Sequence, residues 1–289
     1  MTLATIDIGG TGIKFASLTP DGKILDKAST PTPKTLEDLL AWLDQRLSER
    51  DYRGIAMSVP GAVHQETGVI KGISAIPYIH GFSWYEALSH HKLPVHLEND
   101  ANCVGLSELL AHPEIENAAC VVVGTGIGGA MIINGKLHRG RHGLGGEFGY
   151  MTTIEPAEKL NNWSQLASTG SMVRYVIEKS GQSDWDGRKV YQEAAAGNAL
   201  CQEAIERMNR NLAQGLLNIQ YLIDPDVISL GGSISQNPDF IKGVQKAVDA
   251  FVETYEEYTI APVIQACTYQ ADANLYGALV NWLQEENQW

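Results

Sequence analysis

Apolar residues over the first sixty positions gather in short runs separated by glycine, proline and aspartate, a pattern that predicts strands before any helix. Leu3 to Ile8, Gly12 to Leu18 and Lys23 to Lys27 are β-prone runs, divided by Gly9-Gly10 and by Pro20-Asp21-Gly22. They read as an antiparallel meander. Leu36, Leu39, Leu40, Leu43 and Leu47 then recur at helical spacing, Gly54 to Val59 returns to strand character, and Pro60-Gly61 breaks it. Further on, the largely apolar run Leu93 to Leu97 gives way to a helix-like stretch from Ala101 to Ala111, which places Asp100 at a strand-to-helix junction.

The second half begins in the same way. Ala118 to Val123 is an apolar strand, Gly124 to Gly129 a glycine turn, and Ala130 to Ile133 runs into Asn134-Gly135, a strong hairpin signal. Strand, glycine turn, strand and hairpin thus occur twice. Helices are expected from Gln165 to Ser180, Val190 to Ala196, Ala199 to Leu222 and Asn274 to Glu286, with a strand from Val227 to Leu230 that ends in Gly231-Gly232.

The duplicated turns, Asp7-Ile8-Gly9-Gly10-Thr11-Gly12 and Gly124-Thr125-Gly126-Ile127-Gly128-Gly129, carry the first chemical signal. Residues without Cβ let the backbone approach a ligand closely, and successive N–H groups in such a turn form a concave anion site. Two of them suggest two similar halves closing on one phosphate-bearing ligand, with ATP the first to consider. Other phosphate motifs fail on context. Gly124-x-Gly126-x-x-Gly129 matches the dinucleotide fingerprint, but that motif needs a helix after it, where a hairpin is expected here. Lys14 lies between Ile13 and Phe15, not in a Gly-Lys-Ser/Thr sequence, so a Walker A loop fails too.

Composition narrows the partners. With 289 residues, 44% hydrophobic and 19% charged, the chain has the length and composition of two globular domains. Its formal charge of −13 argues against nucleic acid, whose binding draws on Lys and Arg, whereas a local nest of N–H groups with a divalent cation can still hold ATP. A strand-like start without a basic flank and the lack of any run of membrane-spanning length make a cytosolic location and no membrane partner the expectation. Cys103, Cys120, Cys201 and Cys267 are widely spaced, as buried free thiols would be.

Taken in order, Asp7-Ile8-Gly9-Gly10-Thr11, Glu98-Asn99-Asp100-Ala101-Asn102, Gly124-Thr125-Gly126-Ile127-Gly128-Gly129 and Gly145-Gly146-Glu147-Phe148-Gly149 resemble the ROK family of sugar kinases, repressors and open reading frames. The resemblance implies an α/β, actin-like ATPase fold, in which two ribonuclease-H-like domains face each other across a nucleotide and sugar cleft. Residues 1–116 would form one domain and 117–289 the other, with the last helix, about 274–286, packing back on the first. It also implies an ATP- and Mg²⁺-dependent kinase acting on a hexose or hexose derivative, on the 6-hydroxyl, with glucose, a β-glucoside and N-acetylmannosamine as candidates, and a homodimer.

Roles follow residue by residue. Gly9, Gly10 and Thr11 would form one phosphate loop and Gly124, Thr125 and Gly126 the other, with Asp7 near Mg²⁺ through water. Gly231-Gly232 resembles the family's adenosine-side turn, although a helix cap reads equally well there. Asp100 reads from its position as an N-cap and from the motif as the general base that takes the sugar proton. Asn99, Asp100 and Glu147 supply an amide and carboxylates for sugar hydroxyls, and Gly61 lies in a segment resembling the family's sugar loop. Glu147 also reads as a surface carboxylate, and His142 has no matched role.

The chain departs from many ROK kinases beyond Glu147-Phe148-Gly149. Tyr150 stands at the position of a histidine that binds zinc and touches the sugar, and Met151 to Gly170 contains no cysteine. Asn161-Asn162-Trp163-Ser164 occupies the region of the zinc cysteines and of a second sugar-binding glutamate. No zinc is expected in the protein, Tyr150 and the Asn161 to Gln165 segment become the candidates to replace the missing sugar contacts, and the Glu147 to Tyr150 form resembles a zinc-free subset that includes β-glucoside kinases. Two rivals are a sugar-responsive ROK repressor, disfavoured by the acidic charge and the early Asp7, and a catalytically silent sugar-binding protein.

Overall fold

The structure, a computed structural model, describes residues 1–72, 74–154, 160–254 and 257–289. The chain divides into two compact units, one of Met1–Glu114, Arg139–Gly145 and Ala271–Trp289, the other of Ile115–His138 and Gly146–Gln270. Residues 139–145 therefore belong with the first unit. The first unit begins β1 (Leu3–Ile8), β2 (Gly12–Leu18), β3 (Ile24–Pro31), α1 (Leu36–Leu47), β4 (Ile55–Val59), β5 (Ala62–His64), β6 (Val69–Lys71), α2 (Trp84–Ala87), β7 (Val95–Asn99) and α3 (Asp100–Ala111). Its five-stranded sheet has the order β3-β2-β1-β4-β7. The first three strands are antiparallel neighbours, whereas β4 runs parallel to β1 and β7 parallel to β4. Every residue of β1 and β4 is buried, the usual state of central parallel strands and the reason their sequences are almost continuously apolar.

The second unit contains β8 (Ala118–Val123), β9 (Ile127–Ile133), β10 (Lys136–Leu137), β11 (Thr152–Ile154), β12 (Leu160–Asn162), α4 (Trp163–Ala167), α5 (Thr169–Ser180), α6 (Gly187–Ala195), α7 (Ala199–Ile223), β13 (Val227–Gly231), α8 (Pro238–Thr254) and β14 (Ile264–Ala266). Its sheet order, β10-β9-β8-β13-β14, repeats the plan of the first: an antiparallel meander followed by two parallel strands. The helix expected from Gln165 to Ser180 is two helices. Ser168 is extended (φ −84°, ψ 160°), and its hydroxyl accepts the Ser171 N–H to start α5 afresh. The β5–β6 hairpin, α8 and β14 had no counterpart in the periodicity reading.

The chain then returns to the first unit as α9 (Ala273–Glu285), which packs on α3, β1, β4 and β7. Small residues permit this contact. A Cβ on Gly277 would lie 1.7 Å from the Cys103 carbonyl oxygen, and one on Gly54 would lie 2.4 Å from the fully buried Trp282 ring. All four cysteines are buried thiols outside any disulfide. No helix among the described residues is long and apolar enough to cross a membrane.

Candidate active site

Strand pairing aligns the polar residues of the first unit. Asp7 is in register with Lys14 on one side and Ser58 on the other, and Ser58 with Glu98, so the four form one row across β2, β1, β4 and β7. Residues in one row of a pleated sheet project from the same face. Asp7, only 6% exposed, accepts from Lys14 Nζ (3.1 Å) through one oxygen and from Asn274 Nδ2 (2.9 Å) through the other. Lys14 also donates to the Ala271 carbonyl. The adjoining glycine turn closes by a Gly9 N–H bond to the Gly12 carbonyl (3.0 Å), leaving Gly10 and Thr11 exposed at its tip.

At the neighbouring strand end, the structure settles which residue caps α3. Asn99 does: its side-chain oxygen accepts from Ala101 N (2.9 Å) and Asn102 N (3.2 Å), while its amide donates to the Gly61 carbonyl (3.1 Å). The capping alternative for Asp100 is thereby corrected. Asp100 is the first helical residue, half-buried, with Oδ1 accepting the Ala101 N–H at 2.8 Å. That position favours a negative charge, because the helix dipole and the first-turn N–H groups face it. Gly61 has φ +104°, and a Cβ there would stand 2.8 Å from the Lys71 carbonyl, so the turn into β5 requires glycine.

Glu98 holds this corner from below. It is 2% exposed; Oε1 accepts from Asn99 N (2.7 Å) and Asn102 Nδ2 (2.9 Å), and Oε2 from Arg139 Nε (2.6 Å) and Gln65 Nε2 (3.3 Å). Arg139 reaches on to Asn281 (2.7 Å) and Glu285 (2.9 Å). Burial works against the charge on Arg139, but Glu98 and then Glu285 outweigh it and hold the guanidinium above its ordinary pKa.

In the second unit the loop after β8 has its carbonyls on protein donors. Gly124 O accepts from Gly170 N (3.2 Å), Thr125 O from Ser168 Oγ (3.0 Å) and Gly126 O from Gly124 N (2.9 Å), while Ser164 Oγ accepts the Ile127 N–H (2.9 Å). Neither Gly124 nor Gly126 has a left-handed φ. A Cβ on Gly124 would meet nothing within 4 Å and one on Gly126 only Ser164 at 3.5 Å. The fold does not demand glycine at either place, so the open space beside the loop fits a ligand that must approach its backbone. The loop residue Thr125 also lines a cavity of about 750 Å³ shared with Asn161, Ser164, Arg174, Tyr175 and Arg207.

Gly231 is in register with Val122, and Gly232 (φ +89°) passes so near Val123 that a Cβ would lie 2.2 Å from its carbonyl. Glycine is therefore needed there for close backbone approach, ahead of a 3₁₀ turn at Ser233–Gln236. Glu147 is half-buried, and desolvation pushes its carboxyl above the ordinary value. It precedes a single 3₁₀ turn, Phe148–Tyr150, in which Tyr150 N donates to Glu147 O (3.1 Å). The Tyr150 side chain is 73% exposed at the end of that turn. Of the segment from Met151 to Gly170, residues 155–159 lie outside the described residues. His142 is exposed in the 139–145 segment.

Sequence reasoning missed Lys14, Glu98, Arg139, Ser168 and Asn274, and it placed Ser164 in a segment of candidate sugar contacts, not on the glycine loop. Lys14 could have been found from register, since a meander with a turn after Ile8 sets it opposite Asp7. Glu98 lay in a quoted motif without a role, and nothing local marks Arg139.

A fold of paired five-stranded sheets, each with a glycine turn after its first strand, is the two-domain actin-like ATPase fold, and the chain belongs to the ROK family, whose model matches residues 3–285. It is 34% identical to the β-glucoside kinase of Listeria monocytogenes, over 100% of this chain and 99% of that protein. Among solved structures it is similar to a ROK family protein from Streptococcus pneumoniae TIGR4 in complex with sucrose (88% identity, 100% of each chain, TM-score 0.97). It is also similar to the ROK hexokinase from Thermus thermophilus (26% identity, 99% and 100% of the two chains, TM-score 0.86).

The Glu98–Arg139 pair makes a testable demand. Arg139→Met strands a buried carboxylate and is expected to lower stability by about 3 kcal/mol, read from the urea midpoint, with Glu98→Gln in the same chain restoring most of the loss. A single variant as stable as the parent would contradict the clamp.

Proposed function

We propose that this chain is an ATP-dependent kinase that transfers the γ-phosphoryl group to the 6-hydroxyl of a hexose or hexose derivative, with Asp100 as general base. The observation that carries the reading is the presentation of Asp100 at the start of α3, beside Asn99 and Gly61, at the strand edge that also bears Asp7 and Lys14. Asp100 accepts the hydroxyl proton as the sugar oxygen attacks phosphorus, and ADP departs with the electrons of the broken P–O bond. Asn99, Glu147 and Tyr150 orient the sugar. Gly9, Gly10 and Thr11, with Gly124, Thr125 and Gly126, hold phosphate oxygens on backbone N–H groups, and Gly231-Gly232 admits the adenosine side.

Asp7 fits a magnesium site through water, since each of its oxygens already accepts a hydrogen bond, from Lys14 or Asn274, that direct ligation would disturb. When bound with the nucleotide, Mg²⁺ offsets phosphate charge. No zinc is required at the sugar loop. The β-glucoside kinase named above and the sucrose held by the pneumococcal protein favour a substrate with a second group on the hexose, and the exposed Tyr150 offers such a group an aromatic surface. A cytoplasmic homodimer without a nucleic-acid partner completes the proposal.

The experiment is an ADP-release screen over hexoses, N-acetylhexosamines and glucosyl disaccharides. Turnover with one class, abolished by chelation and restored by Mg²⁺ alone, is expected; no turnover with any of them would reject the kinase reading. Gly124→Val and Gly126→Val are expected to keep the urea midpoint while weakening ATP about tenfold or more by calorimetry, because a Cβ meets nothing within 4 Å at Gly124 and only the Ser164 side chain, at 3.5 Å, at Gly126. Unchanged ATP affinity in both folded variants would remove this loop from the nucleotide site.

A further inference from the structure

Outside the residues already described, the first unit brings two imidazoles and a carboxylate together on its surface. Asp44, in the last turn of α1, accepts from His90 Nε2 (3.0 Å) and His91 Nε2 (2.8 Å), both through the same oxygen, Oδ1. The histidines are consecutive residues of the 3₁₀ turn Ser89–His91, with ring centroids 4.1 Å apart and planes tilted by 39°. The three donor atoms all lie within 4.8 Å of one another, and this is the one group of three or more His, Cys, Asp or Glu among the described residues that meets that geometry.

We infer that Asp44, His90 and His91 form a binding site for one borderline divalent transition ion, of which Zn²⁺ is the natural representative. Zinc–nitrogen and zinc–oxygen bonds of about 2.0–2.2 Å in a tetrahedron require donors about 3.3 Å apart, a modest outward relaxation from the hydrogen-bonded triad. Three protein ligands leave the fourth position to water. Each imidazole would bind the ion through Nε2 as the neutral ring with its proton on Nδ1, so the ion replaces the two contacts to Oδ1. Two nitrogens and one carboxylate select zinc, cobalt or nickel over magnesium, a hard ion that prefers oxygen and water. The site is thus independent of any Mg²⁺ used with a nucleotide, and it is not the Cys/His centre whose ligands are missing from the sugar loop.

Its placement gives the ion a mechanical consequence. Asp44 lies on α1, and the His90–His91 turn enters β7, the strand that ends at Asn99 and leads to Asp100. A bound ion would clip α1 to that turn and raise the thermal midpoint of the chain, as any ligand confined to the folded state does.

The test uses the full chain without an affinity tag, stripped of metal, in equilibrium dialysis against Zn²⁺ and in Co²⁺ titration followed by visible absorption, with and without excess Mg²⁺. One Zn²⁺ per chain, a Co²⁺ spectrum of four-coordinate intensity, indifference to Mg²⁺ and a loss of about tenfold or more in affinity for His90→Ala and Asp44→Asn are expected. His90 is 55% exposed along its side chain, so its variant leaves the core intact. No uptake by the parent, or equal uptake by the His90→Ala/Asp44→Asn double variant, overturns the site whether or not the chain proves to be a kinase.

Discussion

Parallel pairing of β1, β4 and β7 is the constraint on which the first unit's chemistry depends. Three strands that run the same way deliver their carboxyl ends to one edge of the sheet, so Asp7, Pro60-Gly61 and Asn99-Asp100, far apart in sequence, emerge together. Register then places Lys14, Asp7, Ser58 and Glu98 in a single row. Open α/β sheets place their ligands at such edges, because loops leaving parallel strands can diverge there while the strands stay fixed by burial on both faces.

A row of polar groups inside a sheet that is otherwise buried has a cost that only hydrogen bonding offsets. Glu98 meets it most completely, with four donors shared between its two oxygens. Two of these belong to Asn99 and Asn102, so a buried charge below the corner also fixes the backbone that presents Asp100. Arg139 makes this possible although it arrives from a short excursion between β10 and the Glu147 turn. The second unit solves the same problem with neutral groups: Ser164, Ser168 and the start of α5 hold its glycine loop through hydroxyl and backbone bonds.

Much of this was legible because it is written locally. Apolar runs punctuated by glycine and proline marked β1, β2, β8 and the hairpin after Ile133, and the repeated order of strand, turn and strand anticipated two sheets of one plan. Leu39, Leu43 and Leu47 gave α1 with its observed ends. Other features depend on tertiary partners and left no local trace. A serine cap split one expected helix at Ser168, Asn99 rather than Asp100 took the cap of α3, and Arg139 became part of the Asp100 corner through a carboxylate forty-one positions away in sequence. Glycine signals also divided by cause: Gly61 and Gly232 are required by the backbone, whereas Gly124 and Gly126 stand where the fold would accept a side chain.

The central claim is that Glu98, Asn99 and the first turn of α3 exist to present the Asp100 carboxylate to a sugar hydroxyl. Asp100→Asn tests it most directly, since the amide keeps the size of the side chain and some of its hydrogen bonding but cannot take up the proton. With turnover and sugar affinity measured on the same folded sample, the account predicts loss of phosphoryl transfer with sugar binding kept within about tenfold. Near-normal turnover would contradict it.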